Sequence, residues 1–187
     1  MRKIKLIEAP ARQEQLDDLA IGEQVLLSGV IYTARDAAHK RLVDQLKAGK
    51  PLPVPLKNQA IFYVGPSPAK PGRVIGSCGP TTSSRMDSYA PLLLDEGLKI
   101  MIGKGQRSPE VTAAIKRNKA VYLVGIGGAA ALIAQSVKAA ELVDYADLGT
   151  EAIYRLAVER MPLIVAVDTK GNDLFVAGPK QYRTLPF

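Results

Sequence analysis

Val25-Leu26-Leu27-Ser28-Gly29-Val30-Ile31-Tyr32-Thr33-Ala34-Arg35-Asp36 passes from an apolar, β-branched run into a charged turn. The run predicts a strand over 25–32 that stops at Thr33-Ala34-Arg35-Asp36. A helix should follow at once, because Ala38, Leu42, Val43 and Leu46 fall at helical spacing across 36–48. Gly49 is placed to end that helix in a left-handed conformation, and Lys40, Arg41, Lys47 and Lys50 line its outer side.

The strand-then-helix unit recurs. Residues 60–64 and 99–102 predict short strands. The run Ser108-Pro109-Glu110 supplies a cap, a first-turn proline and an acid for the helix dipole, so a helix should run to about Asn118. Residues 120–124 predict a buried strand, and Gly127-Gly128 should open a helix over 129–137. The segment 73–75 is expected to be a short strand. Residues 162–167 and 174–177 should form a hairpin around Thr169-Lys170-Gly171-Asn172. The pattern of 152–159 fits helix and strand equally. Three prolines at 51, 53 and 55 make that segment a surface connection or an edge. With no fixed repeat and no break in composition, the whole reads as one α/β domain over 1–187 with a mixed sheet.

The 187 residues are 47% hydrophobic and 23% charged, which excludes disordered, collagen-like and coiled-coil chains. Twenty-five Lys and Arg against 18 Asp and Glu give +7, a charge that favours anionic partners without naming one. The single Cys excludes an internal disulfide and any metal or iron–sulfur site built from several cysteines of this chain, and it suggests a reducing compartment. Charges at Met1-Arg2-Lys3-Ile4-Lys5 do not fit a signal peptide, and glycines interrupt the uncharged stretch 120–137. The expectation is a cytoplasmic protein with no membrane segment. Scattered charge, 5% aromatic residues and no recognised motif argue against nucleic acid as partner.

Three cations stand at loop edges, where sites are commonly built: Arg35 after a strand, Arg85 after Gly79-Pro80-Thr81-Thr82-Ser83-Ser84, and Lys104 between Gly103 and Gly105. Arginine forks hold carboxylates in a bidentate manner, while a lysine between glycines is a point charge whose flanking backbone can come close to a ligand. A small dianion is the natural guest. Arg85 is expected in the first turn of a helix capped by Thr82 or Ser83, which Pro91 should kink or split. The Gly125, Gly127, Gly128 spacing is not a dinucleotide turn, and Gly97 with Gly103-Lys104 is one residue too long for a phosphate loop. Nothing in the spacing makes Cys78 and His39 a nucleophile–base pair.

The strings Thr33-Ala34-Arg35-Asp36-Ala37-Ala38-His39-Lys40-Arg41, Gly79 to Asp87, Gly103-Lys104-Gly105 and Lys170-Gly171-Asn172-Asp173 occur in the order seen in class I fumarases. Over about 21–178 the chain resembles their β subunit, equivalent to the C-terminal domain of the fused enzymes, and the related L-tartrate dehydratase β subunit. The resemblance implies a swivelling β/β/α fold and a hydro-lyase that interconverts fumarate and malate or dehydrates a tartrate. It implies a four-iron, four-sulfur cluster held by three cysteines of an α subunit, an α2β2 heterotetramer, and a site formed where the two chains close together. It also implies that Arg35, Arg85 and Lys104 grip the dicarboxylate and that Thr81 abstracts the proton. His39, Asp36 and Thr82 would support them, with no metal ligand on this chain. A small-anion sensor and a basic nucleic-acid binder are the readings from other classes.

Overall fold

The computed structural model describes residues 4–126 and 128–183. Seven strands are joined: β1 (Lys5–Ala9), β2 (Gln24–Thr33), β3 (Ala60–Phe62), β4 (Ile100–Gly103), β5 (Val121–Val124), β6 (Val137–Asp144) and β7 (Ile153–Val167). The order is β1-β2-β3-β4-β5-β7-β6, with β2 and β7 also paired to each other. The pairings β2–β3, β3–β4, β4–β5, β5–β7 and β7–β2 therefore close on themselves. β1 to β5 run parallel, and β7 is antiparallel to β2, β5 and β6. The mixed α/β class is thus observed, as a sheet curled into a ring.

Alternation along the strands divides the core in two. Ala60, Phe62, Ile100, Ile102, Val121 and Leu123 join Val25, Leu27 and Ile31 in one buried cluster, which the ring encloses. Ile61, Met101 and Tyr122 point the other way, into a cluster completed by helices. Those are α2 (Asp36–Lys47), α3 (Ala90–Asp95) and α4 (Pro109–Arg117), numbered after the short α1 (Gln13–Asp17). α2 presents Ala38, His39, Leu42 and Val43, all buried. Each large apolar side chain taken from water contributes about 1.5–3 kcal/mol, so both faces hold the strands.

The expected elements over 25–32, 36–48, 60–64, 99–102, 108–118 and 120–124 are present within a residue or two. Gly49 has φ +64° after α2, and Ser108 caps α4, accepting from the Val111 N–H. Four expectations are corrected. Residues 73–75 form no strand. The helix opened after Gly128 is α5 (Ala130–Gln135), and Val137 already begins β6; Gly127 itself, like Met1, Arg2 and Lys3, lies outside the described residues. The segment after the Lys170-Gly171 turn is not a hairpin arm but α6 (Leu174–Tyr182), whose start is fixed when Asp173 accepts from the Phe175 N–H at 2.8 Å. The helix expected after a Thr82 or Ser83 cap is split, as Pro91 implied, but its first piece is a 3-10 turn, Ser83–Met86, and its second is α3 with Pro91 in the first turn. Among the described residues no helix is long and apolar enough to cross a membrane.

Candidate functional site

Because β2 to β5 are parallel, the loops that follow them gather at one edge of the sheet, where open α/β folds place their ligands. Arg35 lies two residues past β2, Lys104 one residue past β4, and the Thr81 loop crosses between β3 and β4. The Thr81 N–H donates to Tyr63 O at 2.7 Å, and the Lys104 N–H donates to Thr81 O at 3.2 Å. Thr82 and Lys104 form a parallel bridge, and the Ser83 N–H donates to Lys104 O at 2.9 Å. Thr81, Thr82 and Lys104 therefore form one backbone-locked unit.

Arg35 occupies the cap position of α2 in extended backbone, a place where Ser, Thr, Asp or Asn is usual, and it makes no capping bond. Glu151, in the 3-10 turn Ala146–Glu151, takes over the work: it accepts from the Ala37 N–H at 2.9 Å and pairs with Arg35 Nη2 at 3.4 Å. Asp36 then joins the two arginines. Its Oδ1 accepts from Arg85 Nε at 2.8 Å, and its Oδ2 lies 3.8 Å from Arg35 Nε. The Asp36 carboxylate thus lies between the two arginines, hydrogen-bonded to Arg85 and at longer ion-pair distance from Arg35. Lys104 is exposed and has no ion-pair partner among the described residues. Three cations and two carboxylates, 3 − 2, leave the cluster at +1.

His39 is fully buried and holds the Arg35 carbonyl. Its Nδ1 lies 2.9 Å from Arg35 O, so Nδ1 carries the proton, and Nε2 has no hydrogen-bond partner among the described residues. Burial lowers its pKa to about 4, with the nearby Arg107 charge adding to the effect, so the ring is neutral at pH 7. It packs edge-on against Tyr63, with ring centroids 5.0 Å apart. Cys78 is also fully buried, and burial pushes its thiol up to about 12. It is a neutral core group, and among the described residues no set of three His, Cys, Asp or Glu could hold a metal. The donor set of this chain does not fit an iron–sulfur cluster.

Two features of the loop bear on how an anion could bind. A four-residue 3-10 turn offers little dipole, and the N–H groups of Thr81 and Ser83 are already bonded to protein carbonyls, so an anion here would meet side chains. Gly103 does not open the backbone to a ligand: a Cβ there would sit 1.9 Å from Ser83 Oγ. It lets Ser83 tuck beneath Lys104, while Gly105 turns the chain at φ +80°. Gly125 does serve tight packing, since a Cβ would meet Ile133 and Pro80 at 3.2 Å each.

Several residues around the site carried no sequence signal. Gly65 leaves room for Arg35, because a Cβ would lie 2.7 Å from Nη1. Glu151 lies 116 positions from Arg35, and only folding makes them neighbours. Ser83 Oγ accepts from the Lys104 N–H at 3.1 Å and is hydrogen-bonded to the Tyr122 hydroxyl at 2.8 Å. Beneath them Arg107, its side chain wholly buried, donates through Nε to Asp87 Oδ1 at 2.7 Å. Asp87 was in a recognisable string, but nothing in its spacing pointed to Arg107.

The chain matches the family model described as Fumarase C-terminus over residues 1–178. It is 43% identical over 164 residues to the aerobic class I fumarate hydratase of Salmonella typhimurium, covering 87% of this chain and 28% of that protein. Identity is 45% over 163 residues to the anaerobic class I enzyme of Escherichia coli, covering 86% and 30%. To the L(+)-tartrate dehydratase subunit beta of E. coli it is 35% over 183 residues, covering 95% and 90%. The chain thus spans less than a third of these class I fumarate hydratases and nearly all of the beta subunit. The resemblance carried by the Arg35, Thr81 and Lys104 strings is borne out, and the chain belongs to the fumarase C-terminal family.

Proposed function

We propose that this chain is the substrate-orienting subunit of a hydro-lyase that reversibly hydrates fumarate to malate. The observation that carries the reading is the meeting of Arg35 and Arg85 on Asp36, beside the locked Thr81–Lys104 unit, at one edge of the sheet. In this reading the arginines and Lys104 hold the two carboxylates, with each charge-assisted hydrogen bond contributing about 1.5–3 kcal/mol. Asp36 and Glu151 keep the guanidinium planes fixed, so little reorganisation is needed when the substrate arrives. His39 and Thr82 support the Arg35 and Thr81 loops. Thr81 takes the C3 proton. A threonine hydroxyl is a very weak acid, so that role depends on neighbouring cations stabilising the alkoxide, and Lys104 and Arg85 are the cations at hand.

The four-iron, four-sulfur cluster of the family belongs, in this proposal, to an α subunit, because this chain has one buried cysteine and no cluster of donors among its described residues. Without that subunit the chain is inactive; with it, an α2β2 heterotetramer in the cytoplasm is proposed, acting in the tricarboxylic acid cycle. A second reading, a tartrate dehydratase β subunit, is favoured by the 90% coverage of that subunit.

The test is anaerobic reconstitution with a cluster-bearing partner. Arg85→Ala and Lys104→Ala should each lower kcat/KM for malate and fumarate roughly 10- to 200-fold, the loss of one charged hydrogen bond. Wild-type values in either variant would sink the assignment. The ratio of kcat/KM for malate to that for tartrate decides between the two readings.

A further inference from the structure

Two site segments, 81–87 and 103–108, are stapled at both ends. At the near end Ser83 Oγ holds the Lys104 N–H, and the Tyr122 hydroxyl reaches both Ser83 Oγ and Gly105 O, at 2.8 and 2.9 Å. At the far end one carboxylate makes the joint. Asp87, the residue after the 3-10 turn that carries Arg85, accepts from Arg107 Nε through Oδ1 and from the Ser108 N–H through Oδ2, both at 2.7 Å. The Arg107 guanidinium lies 5.3 Å from the centre of the Tyr63 ring and 5.0 Å from that of Tyr122, and Nη1 is 3.4 Å from the Tyr63 hydroxyl. Tyr63 continues from β3 and Tyr122 belongs to β5, so Arg107 links both strands to the loops above them.

A buried charge pair is seldom justified by stability alone, since desolvation offsets most of its attraction, and well-packed apolar residues do as well. What it does supply is a single geometry. Nε and the carboxylate fix one direction, and the two aromatic faces fix the plane.

We propose that Arg107 and Asp87 are positioning residues that set the register between the segment bearing Thr81 and Arg85 and the segment bearing Lys104. The proposal rests on the reading of those three residues as the anion site. It assigns Arg107 no contact with substrate. Its effect passes through Lys104 and Arg85.

The experiment uses the Asp87→Asn and Arg107→Lys variants in the reconstituted complex, with malate as the probe, at a temperature where circular dichroism shows each variant folded. KM should rise about 10-fold or more and kcat should fall as well, because the displaced cations both grip the carboxylates and stabilise the Thr81 alkoxide. In the Asp87→Asn, Lys104→Met double variant the loss should fall at least threefold short of the product of the two single losses, because the part that passes through Lys104 is already gone while the part that passes through Arg85 remains. Unchanged KM in both folded single variants, or losses that multiply in the double variant, would overturn the proposal. A separate readout on the full chain alone keeps it distinct from the functional reading. Hydrogen exchange at the Lys104 amide should speed at least 10-fold in Asp87→Asn while α2 amides are unchanged. No acceleration there overturns the positioning role, whereas absence of malate, fumarate and tartrate turnover in the wild-type complex overturns only the function.

Discussion

His39 shows how one side chain can be read two ways. As the chain's one histidine, placed beside an arginine, it invites a catalytic role, yet burial holds it neutral and its Nδ1 proton is committed to the Arg35 carbonyl. Its work is to keep the Arg35 turn shut. The consequence for pH follows from the sign of its shift. The folded pKa of about 4 lies below the unfolded value of 6.5, so between the two the unfolded chain binds the extra proton. Stability is full above about pH 6.5 and falls as pH drops toward 4, by up to roughly 3 kcal/mol. Urea midpoints measured from pH 7 to pH 4.5 should show this slope. His39→Asn, which can still donate to the carbonyl, should be less stable at pH 7 but with a clearly flatter profile. An unchanged slope would show that other groups drive it.

Among the elements, the short turn after β4 is the most exacting. Gly103 admits Ser83 Oγ into the space a Cβ would fill, and that Cβ would also lie 3.0 Å from the Tyr63 ring. Gly103→Ala should break the Ser83–Lys104 bond, cost about 1–3 kcal/mol by overpacking and lower kcat/KM at least 10-fold. A variant with wild-type melting temperature and activity would mean the turn can relax freely. β7 explains a different failure. Leu156 and Val158 face the enclosed cluster before Arg160, and Met161, Leu163 and Val165 face it afterwards. Arg160 sits at φ +50° where the β2–β7 register shifts, with its N–H on Ser28 Oγ at 2.9 Å. One extra residue reverses the alternation halfway along a 15-residue strand. The reversal falls between 152–159 and 162–167, so the two halves of this one strand do not read as a single alternating run.

At the scale of the molecule, closure of the sheet sets where stability lies. β2 is paired on both edges, to β7 on one side and to β1 and then β3 on the other, whereas among the described residues β6 pairs with β7 alone. Amides of β2 should exchange only with global unfolding, and those of β6 should exchange faster by orders of magnitude through local opening. Hydrogen exchange followed by mass spectrometry tests this. Equal rates in the two strands would contradict a closed ring. The same closure collects the parallel strand ends into a single rim, and the site is built on that rim.

Much of this protein was decided by local sequence. Apolar periodicity located β2, α2, β4, α4 and β5, because those segments bury one face against immediate neighbours. The cations Arg35, Arg85 and Lys104 stood out because loop ends beside strands leave charges free to act. What local sequence did not contain was distance between remote residues. The Glu151 carboxylate on the α2 start, the Asp36 bridge between two arginines, the space at Gly65 and Gly103, and the Arg107–Asp87 pair all join segments brought together only when the sheet closes. Backbone preference acts over a few residues, but electrostatic and packing contacts depend on position in space, and only the tertiary structure sets that.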